Sequence, residues 1–213
     1  MKRLLLILFC CCSAAAPAYS QQPPAQSAPV AAAEQWRQLL VAVSNEEWDA
    51  AFGLSTRLLR EMKQDDEAKR LPRLRYIHMY AAAGRVTEGR MSFEQLEQAL
   101  KDFKGKEVEM PYREITRDCG GALNFICPAD GAKDRLFVSA SNKSGTSILA
   151  FEYIGLKEAF DAAKHEGEQA SVGGIIQRIV PNPNKSRAIV MRIYVAEGYV
   201  KLDRPEPQKA SNR

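Results

Sequence analysis

The sequence predicts an α+β protein in which antiparallel helical hairpins precede a strand-rich part carrying one further helix. Three observations predict it. Between residues 34 and 104, apolar side chains recur at helical spacing. From Gly105 onward, short runs of β-branched and aromatic residues alternate with turn residues. Ahead of both, the chain carries a basic, then apolar, then small-residue segment with the layout of an export signal.

Residues 1–20 read as a signal peptide. Met1, Lys2 and Arg3 supply the basic start, and Leu4 to Ala16 the apolar core. Ala16-Pro17-Ala18 and Ala18-Tyr19-Ser20 both offer small residues where a signal peptidase reads, so cleavage is expected after Ser20, with Ala18 as the alternative. The apolar run is shorter than the ~20 residues a spanning helix needs, which favours removal over a retained anchor. Cys10, Cys11 and Cys12 lack the leucine and small residues that precede a lipidated cysteine, and read as small hydrophobes within the signal. No later stretch is apolar enough to span a bilayer, so a periplasmic or secreted protein is expected.

Composition is that of an ordinary folded chain, with 46% hydrophobic and 26% charged residues, so a packed core is expected rather than a disordered polyelectrolyte. The formal charge of +4 falls to +2 without Lys2 and Arg3. Residues 34–104 carry twelve basic and twelve acidic side chains, and residues 105–213 sixteen and fourteen. Such balance argues against a nucleic-acid partner, whose footprint is a concentrated basic surface. Removal of the signal leaves Cys119 and Cys127, an even pair in an oxidising compartment, expected as a disulfide worth about 2–3 kcal/mol. A redox pair would need C-x-x-C spacing or a cationic neighbour, and neither is present.

Residues 21–33, rich in Pro, Gln and Ala, read as a disordered linker, and residues 203–213 as a frayed polar tail. The first helix carries Trp36, Leu39, Leu40 and Val43 on one stripe. Ser44 and Glu47 form an expected capping box for the second, whose buried face holds Trp48, Ala51, Phe52, Leu58, Leu59 and Met62. Lys63 to Glu67 is a polar loop; its Asp65, Asp66 and Glu67 lack the alternating ligands of a calcium site. A third helix is expected from Leu71 to Ala83, stopped by Gly84, and a fourth carrying Val86, Phe93, Leu96, Leu100 and Phe103 up to Gly105.

Trp48, Ala51, Ser55, Leu58 and Met62 correspond to Val86, Gly89, Phe93, Leu96 and Leu100 at a constant offset of 38. Together with the turn from Tyr80 through Gly84 to Gly89, this resembles tetratricopeptide repeats, which implies a groove for a protein or peptide. The offset exceeds the usual repeat of about 34 residues, Gly89 stands where alanine is usual, and the closing proline is missing. A plain four-helix arrangement is the alternative.

Strands are expected at Lys106–Ile115, Arg135–Ala140, Ile148–Ile154, Val172–Val180 and Ala188–Val195, with a hairpin turn at Asn142–Gly145 and a helix at Leu156–His165. The order of three strands, helix and two strands over residues 105–202 resembles the OB-fold, which implies a small antiparallel β-barrel with a ligand-binding face. Gly173 and Gly174 would suit a sharply bent barrel strand. A generic sheet with one crossover helix is the alternative.

Catalytic patterns do not emerge. His78 reads as a packed side chain, and His165 as a cation at a helix end. There is no zinc-type His/Cys spacing and no phosphate-binding glycine loop, so no metal site, catalytic residue or cofactor is expected. The connection between the last two strands is the best candidate binding feature. Asn182, Asn184, Lys185 and Arg187 lie in it, with Arg178, Arg192 and Tyr194 on the adjoining strands, offering donors, charge and one ring to a polar or anionic ligand.

The functional expectation is an exported, non-enzymatic binding or adaptor protein. Its helices would take an envelope protein or peptide, and its barrel a polar or anionic ligand. The rivals are an envelope hydrolase or thiol enzyme working through Cys119 or Cys127, and oligonucleotide or oligosaccharide binding on the barrel face.

Overall fold

The structure, a computed structural model, describes residues 28–62, 70–119, 124–182, 184 and 189–203. The expected signal, the polar loop at Lys63–Glu67 and the residues after Asp203 lie outside them. Helix α1, Ala28–Asn45, begins inside the stretch read as linker: Pro29 sits in the first turn, where its missing N–H removes no helical bond, and alanines follow. Leu39 and Ala42 are buried, while Leu40 is 46% exposed. A neighbour in sequence is rotated by about 100° around a helix, and here the narrower stripe wins.

The expected capping box fails. Ser44 belongs to α1, and Glu46 reverses the chain with a left-handed φ of 60°. Helix α2, Trp48–Glu61, starts without a side-chain cap and buries Trp48, Ala51, Ser55 and Leu58. The box stands instead at helix α4, Phe93–Leu100, where the Gln95 N–H donates to the Ser92 hydroxyl and the Ser92 N–H to the Gln95 side chain.

Helix α3, Leu71–Thr87, runs through Gly84 rather than stopping there. A Cβ at residue 84 would lie 2.2 Å from Cδ2 of Trp48, so the glycine admits the indole against the α3 backbone. Val86 therefore lies in the last turn of α3 rather than in the fourth helix, and Gly89, with φ 74°, forms the turn before α4. Of the offset-38 correspondences, only Phe93, Leu96 and Leu100 fall on a helix matching α2. A 3₁₀ turn at Lys101–Phe103 leads into the sheet.

Among the described residues seven strands follow: β1 Glu107–Glu109, β2 Arg113–Ile115, β3 Phe125–Pro128, β4 Arg135–Ser141, β5 Ser147–Leu156, β6 Gln169–Pro181 and β7 Met191–Leu202. Pro111, which has no N–H to donate, lies in the break between β1 and β2, read from sequence as one strand. The sheet order is β1-β6-β2-β3-β4-β5-β7, with β6 also paired to β7. Every strand from β2 to β7 thus has a bonded neighbour on both sides. The β2–β3 and β5–β7 pairs are parallel and the rest antiparallel. The Asn142–Gly145 turn is present, with the Thr146 carbonyl accepting from the Asn142 N–H.

The expected helix at Leu156–His165 is not formed. Only Ala162–His165 makes a 3₁₀ turn. The Phe160 N–H, which such a helix would bond to the Leu156 carbonyl, donates instead to Lys133, while the Leu156 and Lys157 N–H groups hold the chain extended against Asp134 and Gly198. His165 consequently caps no helix; its ring stacks on Phe160 and its Nδ1 lies 3.1 Å from Glu168 Oε1.

Helices and strands share one core. Helix α3, buried on most sides, lies between α2 and the sheet and packs on β1 and β5. Tyr76 stacks on Phe151, and the Tyr80 hydroxyl donates to the Ser141 carbonyl at 2.7 Å. Arg73 of α3 and Lys201 of β7 both hold Glu109 of β1. Burial raises the Glu109 carboxyl, but the Lys201 and Arg73 charges outweigh it and leave the group below the usual carboxylate range.

Candidate ligand-binding face

The outer face of β4, β5, β7 and β6 carries a column of alternating chemistry. Arg178 of β6 and Tyr194 of β7 are cross-strand partners, with the guanidinium 4.1 Å from the ring centre. Tyr153 of β5 stacks on Tyr194 with centroids 6.1 Å apart and planes 8° from parallel. Arg135 of β4 lies 6.0 Å from the Tyr153 ring.

A bulge places Tyr153. On β7, Ile193 pairs with Phe151 and Val195 with Ile154, so Tyr194 alone faces the two residues 152 and 153. On β4, Phe137 alone faces the same two. Tyr153 takes a left-handed φ of 55° and is 43% exposed, while Phe151, two residues earlier, is fully buried. Strict alternation would have buried both. Such a conformation is costly for a bulky residue, and bulges of this kind commonly re-aim side chains beside functional sites.

Beside the column opens a cleft of about 690 Å³. Phe137 and Tyr153 give it an apolar wall, Arg117 and Arg192 contribute positive charge, and Asp118 and Asp130 carboxylates. Cys119, joined to Cys127 by a disulfide with Cα atoms 5.3 Å apart, forms part of the rim. The expected pairing is therefore present, and it ties the chain before β3 to β3 itself.

Of the residues singled out from sequence, Arg178, Arg192 and Tyr194 come together on this face. Asn182 and Asn184 do not reach the cleft. The Asn182 side chain accepts from the Asn184 N–H at 3.0 Å. Lys185 and Arg187 lie outside the described residues. Sequence reasoning missed Tyr153, Phe137 and Arg135, because the bulge that turns Tyr153 outward leaves no mark in residue type. His78 is packed as expected: the ring lies against Phe52 and Phe103, its Nδ1 is 3.0 Å from the Ser55 hydroxyl, and burial pushes its pKa down to about 4.

Among the described residues, no group of three or more His, Cys, Asp or Glu is placed to hold a metal ion, and no helix is long and apolar enough to cross a membrane. The chain matches no family model, and no curated protein or solved structure is significantly similar to it.

Proposed function

We propose that the protein is an exported, non-enzymatic binding protein whose sheet face takes an acidic saccharide. The observation that carries the reading is the column Arg135, Tyr153, Tyr194, Arg178, with a strained bulge spent on exposing Tyr153. Its guanidinium and phenol groups form a row of donors suited to carboxylates and hydroxyls. Asp118 and Asp130 in the adjoining cleft accept from sugar hydroxyls but repel a phosphodiester backbone, which favours a saccharide over an oligonucleotide. The signal-like start of the sequence supports an extracytoplasmic ligand.

An OB-like organisation is part of the proposal. With β1 and β2 counted as one strand, the parallel β5–β7 pair and the position of β6 between β7 and that first strand support it. Strand β3, interposed between β2 and β4, departs from the pattern. The tetratricopeptide-like reading has less support, since α3 spends its surface on the sheet rather than on a partner groove.

Calorimetric titration of the signal-free chain with tetragalacturonate tests the function. The expected result is binding about tenfold or more tighter than for a neutral tetrasaccharide, that is, at least about 1.4 kcal/mol, and lost in Tyr194→Ala. Absence of binding, or preference for a single-stranded oligonucleotide, would overturn the reading.

A further inference from the structure

A second cleft, about 330 Å³, lies where α4 and its 3₁₀ turn meet the outer end of β6. Leu96 and Leu100 of α4, 1% and 3% exposed, and Ile179 of β6 make it apolar. Lys101, Lys104 and Arg178 give it three cations against the single carboxylate of Glu97. Among the described residues neither lysine makes an ion pair.

Arg178 is common to this cleft and to the aromatic column, since the same side chain lines the one and lies over Tyr194 in the other. Tyr153 in turn is common to the column and to the cleft beside the disulfide. The three features therefore share walls in series. The column alone crosses four strands, about 14 Å at ordinary strand spacing, which already exceeds the reach of a disaccharide.

We infer that the ligand of the sheet face is an oligomer. It crosses the column and continues past Arg178 into the α4 cleft, where Lys101 and Lys104 hold its acidic groups. The inference rests on the proposed saccharide binding, and it adds the length of the ligand and a helical contribution to the site. Charge complementarity sets the direction: the helical end carries a surplus of cations, whereas Asp118 and Asp130 partly balance the arginines at the disulfide end. The partly exposed Ile179 and Pro181 accommodate the C–H faces of sugar rings.

Titration with a ladder of oligogalacturonates, from monomer to hexamer, separates the possibilities. Affinity is expected to rise with length beyond the trimer, by about tenfold in all. In Lys101→Ala/Lys104→Ala that gain disappears, while the binding that remains still requires Tyr194. Length-independent affinity that still requires Tyr194 would overturn the oligomer track and leave the sheet-face reading standing. Absence of binding at every length would remove that reading as well.

Discussion

The guanidinium of Arg178 lies 4.1 Å from the ring centre of Tyr194, its partner across β6 and β7. A cation over a ring at an exposed site contributes about 0.5–1 kcal/mol and holds both side chains in place. Arginine suits the position because its planar fork stacks on the ring and still offers N–H groups outward, whereas a lysine ammonium acts as a compact point charge. Arg178→Ala should weaken binding of tetragalacturonate about tenfold, and Arg178→Lys about threefold. Neither should move the thermal midpoint by more than about 3 °C. Calorimetry and thermal melts measure both. Wild-type affinity in Arg178→Lys would show that the stack contributes nothing beyond charge.

Tyr153 poses a different question, because its backbone is strained as well as its side chain exposed. At φ 55° an L-residue carries a cost of about 1–2 kcal/mol that glycine avoids. Tyr153→Gly should therefore be more stable than Tyr153→Ala by about 1 kcal/mol in urea unfolding. The two variants should lose ligand affinity equally, since both remove the ring. Equal stability would mean that the left-handed turn of β5 relaxes once the tyrosine is gone.

These positions also mark what the sequence makes legible. The α+β class, the buried stripe of α2, the turn at Asn142–Gly145 and the Cys119–Cys127 pair follow from local patterns, and local patterns are what a sequence displays. Arg178 and Tyr194 could be named because they flank the charged connection between the last two strands, although the register shift just before Arg178 that pairs them was not legible. Tyr153 could not, since it shares parity with the buried Phe151 and only the cross-strand register reveals the extra residue. The missing helix after Leu156 has a similar cause: the Phe160 N–H that would close its first turn is taken by Lys133, which is distant in sequence. Strand β3 was hidden by its four-residue length and its terminal Pro128.

Gly84 shows the same limit within the helices, where a residue read as a stop signal is a packing device. Its absent Cβ leaves room for the Trp48 ring, which would otherwise lie 2.2–2.6 Å away. Gly84→Ala should gain helix propensity worth about 1 kcal/mol yet lose more through overpacking, for a net destabilisation of about 1–2 kcal/mol. If the indole is the cause, the same substitution in a Trp48→Leu background should be neutral or stabilising. Chemical unfolding of the four-member cycle measures the coupling. A destabilisation that persists in the Trp48→Leu background would assign the effect to the backbone instead.

Burial of His78 should make the fold acid-sensitive. Its ring is packed by Phe52 of α2 and Phe103 of the 3₁₀ turn, with the Ser55 hydroxyl at Nδ1, and burial lowers its pKa to about 4. Unfolding returns the group to about 6.5, so between these values the unfolded chain binds more protons than the folded one. The resulting stability is complete above pH 6.5 and is lost as pH falls from 6.5 towards 4, amounting to about 3 kcal/mol across that window. Glu109 also has a lowered pKa, but its contribution is lost only as the carboxylate titrates, towards the acid end. His78→Gln should therefore be less stable at neutral pH, through imperfect packing, while showing a flatter profile between pH 6.5 and 5. Urea unfolding at half-unit pH steps distinguishes the two proteins. An unchanged slope in the variant would show that carboxylates alone govern the acid limb.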